Sequence, residues 1–119
     1  MRTTIIITAK IHDEFMELIR EGRKKHEIRE EPFNGAQAIR YVSSRDGREL
    51  GVYRIINAFE IPRSQKDSVI EISAIGAQQF HSLFPDRDDD DRQSLWIAQL
   101  GAETTVDELL LGNEGDGKS

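Results

Sequence analysis

The octapeptide Gly22-Arg23-Lys24-Lys25-His26-Glu27-Ile28-Arg29 reads as a helix stop, a turn and the start of a strand, with charges of both signs in one short span. Counted with its flank, it holds five basic residues (Arg20, Arg23, Lys24, Lys25, Arg29) against two acids (Glu21, Glu27), in a chain whose formal net charge is -6. A concentrated basic loop on an acidic protein points to a local anion site rather than to diffuse attraction.

The residues on either side fix the local geometry. Upstream, Ile11, Phe15, Leu18 and Ile19 fall at i, i+4, i+7 and i+8, which makes one apolar helical stripe over 11–21. Asp13 and Glu14 stand in its first turn and Arg20 in its last, where the helix dipole favours them. Gly22 supplies the left-handed conformation that ends such a helix without a side-chain clash. Downstream, a strand over 25–31 places Glu27 and Arg29 on one face and His26 and Ile28 on the other. Side chains two apart on a strand are separated by roughly 6.5 to 7 Å, so Glu27 and Arg29 can frame one small ligand or one base.

Working outward, the order is strand 2–8, helix 11–21, strand 25–31, strand 36–44, strand 49–60, short strand 69–72, helix 77–84 and strand 94–101. Asp46-Gly47 between two apolar-rich runs marks a hairpin. Pro62 and Pro85 stop the elements before them. Both faces of 49–60 are partly apolar, as for a strand covered on two sides. Strands dominate the middle and helices flank them, which gives an α+β fold. Thr105-Val106-Asp107-Glu108 has the form of a capping box ahead of Leu109, Leu110 and Leu111, so a short helix belongs in 103–112. Those leucines read as a docking face, with a homodimer seam as the alternative. The glycine-rich end, 113–119, reads as disordered.

The pattern Gly-x-Lys-x-x-Glu-x-Arg after an amphipathic helix, carried by Gly22, Lys24, Glu27 and Arg29, resembles the signature of ASCH domains, which belong to the PUA-like superfamily. Ile39-Arg40-Tyr41-Val42-Ser43-Ser44, Leu50-Gly51-Val52-Tyr53, the helix near Gln78–Phe84 and Leu95–Leu100 follow in the family's order. The resemblance covers roughly residues 2–101 and implies one domain over 1–102. The implied fold is a small PUA-like β-barrel of five to six mostly antiparallel strands with two or three flanking helices. The implied activity is binding of RNA or a modified nucleoside in a cleft beside the barrel.

Composition narrows the setting. At 119 residues one domain is the default, large enough to bury a core without staples. The chain has no cysteine, which excludes disulfides and thiolate metal sites and fits a cytoplasmic address. No apolar run approaches the roughly 20 residues a membrane helix needs, and the amino terminus lacks a signal-peptide pattern. The acidity is segregated: residues 103–119 carry -4 and residues 86–92 carry -3, leaving +1 for the remainder. A local RNA site is therefore compatible with the overall charge, with few phosphates engaged. The run Asp88–Asp91 lacks the interleaved spacing of a calcium loop and reads as solvated loop. His12, His26 and His81 form no ligand pair, so neither a metal nor another cofactor is called for.

Three function classes remain, and the site residues differ in role among them. In a binding module, Lys24 supplies a point charge for a phosphate or a donor for a base carbonyl. Arg29 supplies a planar fork, and Glu27 orients those cations or accepts from a base amino group. Arg23, Lys25, Tyr41 and Ser43 complete the nucleic-acid-binding set, with Tyr41 and Tyr53 as stacking candidates. The competing reading makes the charged residues a surface ion-pair set and the tyrosines strand aromatics. A metal-independent ribonuclease would use Lys24 and Arg29 as cations and Glu27 or Tyr41 as proton carrier, since strand alternation turns His26 away. The third class is an amidohydrolase on an acylated nucleoside. The resemblance would require a nucleophilic threonine where this chain has Glu27, and a carboxylate cannot replace an activated hydroxyl.

Overall fold

The computed structural model describes residues 3–88 and 92–116, with side chains described through Leu111. Five strands form one sheet: β1 (Ile6–Ile11), β2 (His26–Arg29), β3 (Ala38–Ser43), β4 (Glu49–Pro62) and β5 (Ser94–Thr104). Their order is β1-β3-β4-β5-β2. β1 runs parallel to β3, and the other three ladders are antiparallel. The sheet curls into a half-barrel. Four helices flank it: α1 (Asp13–Arg20), α2 (Ile70–Ser73), α3 (Ala77–Leu83) and α4 (Val106–Asp116), with a 3-10 turn over Arg63–Val69 before α2. This is the α+β architecture expected, with four helices among the described residues rather than two or three, and the barrel is open: β1 and β2 are the two ends of the sheet.

Period-2 alternation sorts the strands into an inner and an outer face. Ile39, Tyr41, Tyr53, Ala98 and Leu100 point inward and join Met16 and Ile19 of α1 in the main core. Ile28, Leu95 and Ile97 point outward under Val69, Phe80 and Phe84. Ala38 and Val52, on the outer face elsewhere, take Leu109 of α4. Glu27 and Arg29 alternate with Ile28, so they belong to the inner face.

The helix before the basic loop ends as glycine chemistry requires. Gly22 has φ +76°. The Gly22 N–H donates to Ile19 O at 3.0 Å and the Arg23 N–H to Leu18 O at 2.9 Å, the paired bonds of a Schellman cap. The apolar stripe is shifted from expectation. Ile11 closes β1 rather than opening α1, and Met16 and Ile19 are the residues α1 buries, with Phe15 and Leu18 half-buried.

Two further boundaries differ. The segment 69–72, read as a strand from its β-branched residues, is helical: Val69 ends the 3-10 turn, Ile70 and Ile72 belong to α2, and all three reach the outer core. Burial there outweighs the residues' weak preference for strands. The first strand begins at Ile6, where its ladder with β3 begins. The Asp46-Gly47 hairpin is formed as read, with Gly47 at φ +76° and its N–H donating to Ser43 O at 2.9 Å.

The capping box before α4 is present in a modified form. The Glu108 N–H donates to Thr105 Oγ1 at 3.1 Å, while the Glu108 carboxylate accepts from Thr104 Oγ1 at 2.9 Å. β5 runs to Thr104, so the helix starts at Val106, and its backbone continues to Asp116. Of the end segment read as disordered, residues 117–119 lie outside the described residues, as do Asp89–Asp91 of the acidic run. Only Leu109 of the three leucines is buried, whereas Leu110 and Leu111 are 47% and 64% exposed. Leu109→Ala should therefore lower stability by about 2 to 4 kcal/mol, and Leu111→Ala by under about 0.5 kcal/mol. Urea denaturation of the two variants checks this, and equal midpoints would mean that α4 is not docked through Leu109.

Candidate nucleotide-binding cleft

The open side of the half-barrel, between β1 and β2, is a cleft. One chamber of it has a volume of about 320 Å³, in the range of small-ligand sites. Lys10, Ile11 and His12 line it from β1 and its end, and Lys24, Glu27 and Ile28 line it from β2 and the preceding turn. Ser73, Ile75, Phe80 and Phe84 close the floor from the helical side, and Phe15 enters from α1. The wall is mostly apolar, with a few polar groups converging on it.

Glu27 is the central polar group. The Tyr41 hydroxyl donates to Glu27 Oε1 at 2.8 Å, linking the inner face of β3 to β2. Burial pushes the Glu27 carboxyl above its ordinary range. Lys24, the Tyr41 hydrogen bond and Arg29 each oppose that by favouring the carboxylate. Tyr41 is 0% exposed, and burial followed by the Glu27 charge and hydrogen bond pushes its phenol well above its ordinary value. One Glu27 oxygen is thus engaged by Tyr41, and Glu27 also lines the cleft.

Lys24 is held differently from a surface lysine. It is 8% exposed, and Nζ donates to His26 O at 2.9 Å and to Ser73 O at 3.2 Å. This pins the turn after α1 to the end of α2. Burial pulls the Lys24 ammonium below its ordinary value, against the attraction of Glu27. His26, on the opposite strand face as alternation requires, is also lowered, first by burial and then by the Lys24 charge.

The other expected site residues divide into two groups. Arg29 stands on the inner face next to Glu27, its guanidinium 5.6 Å from the Phe33 ring centroid and 2.9 Å from Glu31. Arg23 and Lys25 are exposed on the turn outside the cleft, Arg23 paired with Glu21 at 3.6 Å. Ser43 is not brought to the cleft. It is 1% exposed, and its hydroxyl donates to Asp13 Oδ1 at 2.8 Å, tying the end of β3 to the start of α1. Tyr41 and Tyr53 pack edge to face in the core, with ring centroids 6.1 Å apart, and offer no face to a base.

Several lining residues were not singled out from sequence. Phe80 and Phe84 are an i, i+4 aromatic pair whose spacing identifies a helix face but not what it covers. Lys10 carries no local signal, and His12 only that of a histidine without a ligand partner; the fold alone places them and Ser44 at the cleft. His12 Nδ1 lies 3.2 Å from Ser44 Oγ at the rim. Among the described residues, no group of three or more histidine, aspartate or glutamate side chains is placed to hold a metal, and no helix is long and apolar enough to cross a membrane.

No protein-family model matches the chain, and no curated protein does. Solved structures do. An ASCH protein from Zymomonas mobilis superposes with a TM-score of 0.63 at 15% identity, over 85% of this chain and 73% of that one. A tyrosine-to-phenylalanine variant of the same protein gives 0.62 at 17% identity, over 90% and 78%. A protein from Enterococcus faecalis V583 of the DUF984 family gives 0.58 at 10% identity, over 91% and 82%. The chain therefore has the ASCH-domain fold, in accord with the resemblance carried by Gly22, Lys24, Glu27 and Arg29.

The Glu27 environment has a measurable consequence. A carboxyl whose folded value is raised contributes stability that is complete below its unfolded value and is lost as pH rises through the folded value. Relative to Glu27→Gln, which cannot titrate, the wild type should lose stability as pH rises above the ordinary glutamate value and then level off. Urea denaturation of both proteins between about pH 4 and about pH 8 tests this. A difference that grows in favour of the wild type with pH would contradict the assigned environment.

Proposed function

We propose that this ASCH-fold chain is an RNA-binding module that takes an unpaired base or modified nucleotide of single-stranded RNA into the cleft between β1 and β2. The observation that carries the reading is Glu27: a carboxyl fixed by Tyr41, desolvated, and presented beside Lys24 in an otherwise apolar chamber. Such a group is costly to bury unless it meets a donor, and a base amino group supplies one. The apolar walls suit the faces of a planar base, and Phe15, Phe80 and Phe84 give them aromatic character. Lys24 also lines the chamber and offers a donor toward a base carbonyl.

The positions of the remaining cations fit this division of labour. Arg29 lies further along the inner face, where the rest of the ligand would run. Arg23 and Lys25 stand on the exposed turn, suited to phosphate contacts that are weak and salt-sensitive. Recognition therefore rests on an unstacked base in a chamber, as is general for sequence-specific reading of single-stranded RNA.

Fluorescence anisotropy of a labelled mixed-sequence single-stranded RNA tests the proposal in wild type and in Lys24→Met/Arg29→Ala, whose folding is verified by circular dichroism. The expected result is a stable rise for the wild type and an affinity at least about tenfold weaker for the variant. No rise for the wild type at low salt would overturn the RNA reading. A rise that then falls below the free-RNA value in excess chelator would replace binding with metal-independent cleavage.

A further inference from the structure

β4 is flanked on both sides for only part of its length. β3 pairs with it as far as Arg54, opposite Ala38, and the Ile55 N–H makes the last link on that side, to Gln37 O at 2.9 Å. From Ile56 to Pro62 the strand keeps β5 on one side, and among the described residues no main-chain hydrogen bond reaches its other edge. Every residue from Ile56 to Glu60 is exposed, with Ile56 at 65% and Phe59 at 40%. A free edge bearing apolar side chains is a template for a further strand.

The register decides which groups that edge offers. The Leu100 N–H donates to Lys25 O on the β2 side, so alternation turns Gln99, Ile97 and Leu95 toward β4, and Ala98 and Trp96 away from it. Their partners follow: Asn57, Phe59 and Ile61 bond to β5, whereas Ala58, Glu60 and Pro62 turn their main-chain groups to the open edge. Pro62 has no N–H to leave unpaired there, and the Arg63 N–H returns to Gln93 O at 2.8 Å, as the alternation requires. A bulge at Ile56, between the pairs Ile55–Leu100 and Asn57–Gln99, closes the regular stretch at its other end. The edge therefore presents free donor and acceptor groups on Ala58 and Glu60, with Phe59 between them.

We infer that this edge is occupied by a second copy of the chain, the two β4 strands pairing antiparallel about a two-fold axis at Phe59. In that register Ala58 faces Glu60 of the partner subunit, and Glu60 faces Ala58 of the partner subunit. Every free main-chain N–H and C=O of Ala58 and Glu60 then finds a complement on the identical strand. Phe59 meets Phe59 of the partner subunit in a close pair without main-chain bonds, where aromatic side chains stabilise a sheet. Neighbouring registers are poorer. An axis at Ala58 sets Glu60 against the bulge, and an axis at Glu60 opposes two like charges and sets Ala58 against a proline. The edge is thus complementary to itself in one register, which favours a second copy over an unrelated strand. The seam lies across β5 from β2, and Ala58, Phe59 and Glu60 are absent from the cleft lining, so both clefts stay open. So short a seam gives weak association, with a dissociation constant in the micromolar range.

Sedimentation velocity of the full chain from about 5 to about 500 μM tests this. The wild type should pass from a monomer of 13.6 kDa toward twice that mass as concentration rises. Ala58→Pro removes a donor from the open edge and leaves the β4–β5 bonds intact, so it should raise the dissociation constant at least about tenfold. The chain has no cysteine, so Phe59→Cys introduces a single thiol. Oxidation with copper–phenanthroline should link that variant into a disulfide dimer, whereas Leu111→Cys, at a position 64% exposed on α4, should stay monomeric. Circular dichroism verifies the fold of each variant. A wild type that stays monomeric throughout would overturn the second copy as occupant and leave the edge to a strand of another protein. A dimer unchanged in Ala58→Pro, or one that links through Leu111→Cys rather than Phe59→Cys, would place the seam elsewhere and overturn the inference too.

Discussion

The hydrogen bond from Tyr41 to Glu27 spans the interior of an incomplete barrel, and most of what is distinctive here depends on it. Tyr41 belongs to β3, next to β1 at one end of the sheet, and Glu27 belongs to β2 at the other end. The bond therefore joins regions that the sheet's own ladders connect only through β4 and β5. A curl tight enough to make it brings the two end strands to face each other without pairing. That unpaired interval is the cleft, and the same bond decides which side of Glu27 is committed to the protein.

Burial of charge then divides the basic octapeptide into parts with different physics. Lys24 is taken inside and satisfied by two main-chain carbonyls, so its position is set by the turn after α1 and the end of α2 together. Arg29 remains half-exposed, stacked near Phe33. Arg23 and Lys25 stay in solvent. Their charges are alike on paper, but screening makes the outer pair weak and the inner pair specific. Ion pairs do occur here, but at Arg23–Glu21 and Arg29–Glu31, and no salt bridge joins Lys24 or Arg29 to Glu27 among the described residues.

Local features of this architecture were legible in the sequence, and non-local ones were not. The Schellman cap at Gly22, the hairpin at Asp46-Gly47 and the shared face of Glu27 and Arg29 each follow from a few consecutive residues. The Tyr41–Glu27 bond joins residues fourteen apart through closure of the sheet, and no spacing rule reports it. Tyr41 reads from sequence both as a stacking candidate and as a strand aromatic, because a strand tyrosine gives no indication of which side is closed; the structure buries it, with its hydroxyl on the Glu27 carboxylate. Ser43 ends its strand beside Asp13, so its hydroxyl serves the fold. The segment 69–72 was misread because β-branched residues describe a preference, while the outer core rewards a helical face. Lys10 gives no signal at all, since its significance comes from lying opposite β2.

The placement of β2 has a consequence for how the chain matures. It pairs with β5 alone, His26 with Gln99 and Arg29 with Trp96, across about 70 residues of intervening sequence. During synthesis, the short strand that carries Glu27 and Arg29 emerges early and has no ladder partner until nearly the whole chain has followed it. The parallel pairing of β1 with β3 can form much sooner, so one wall of the cleft precedes the other. Assembly of the cleft is thus tied to completion of β5, and an interrupted chain lacks the strand needed to hold β2 in place.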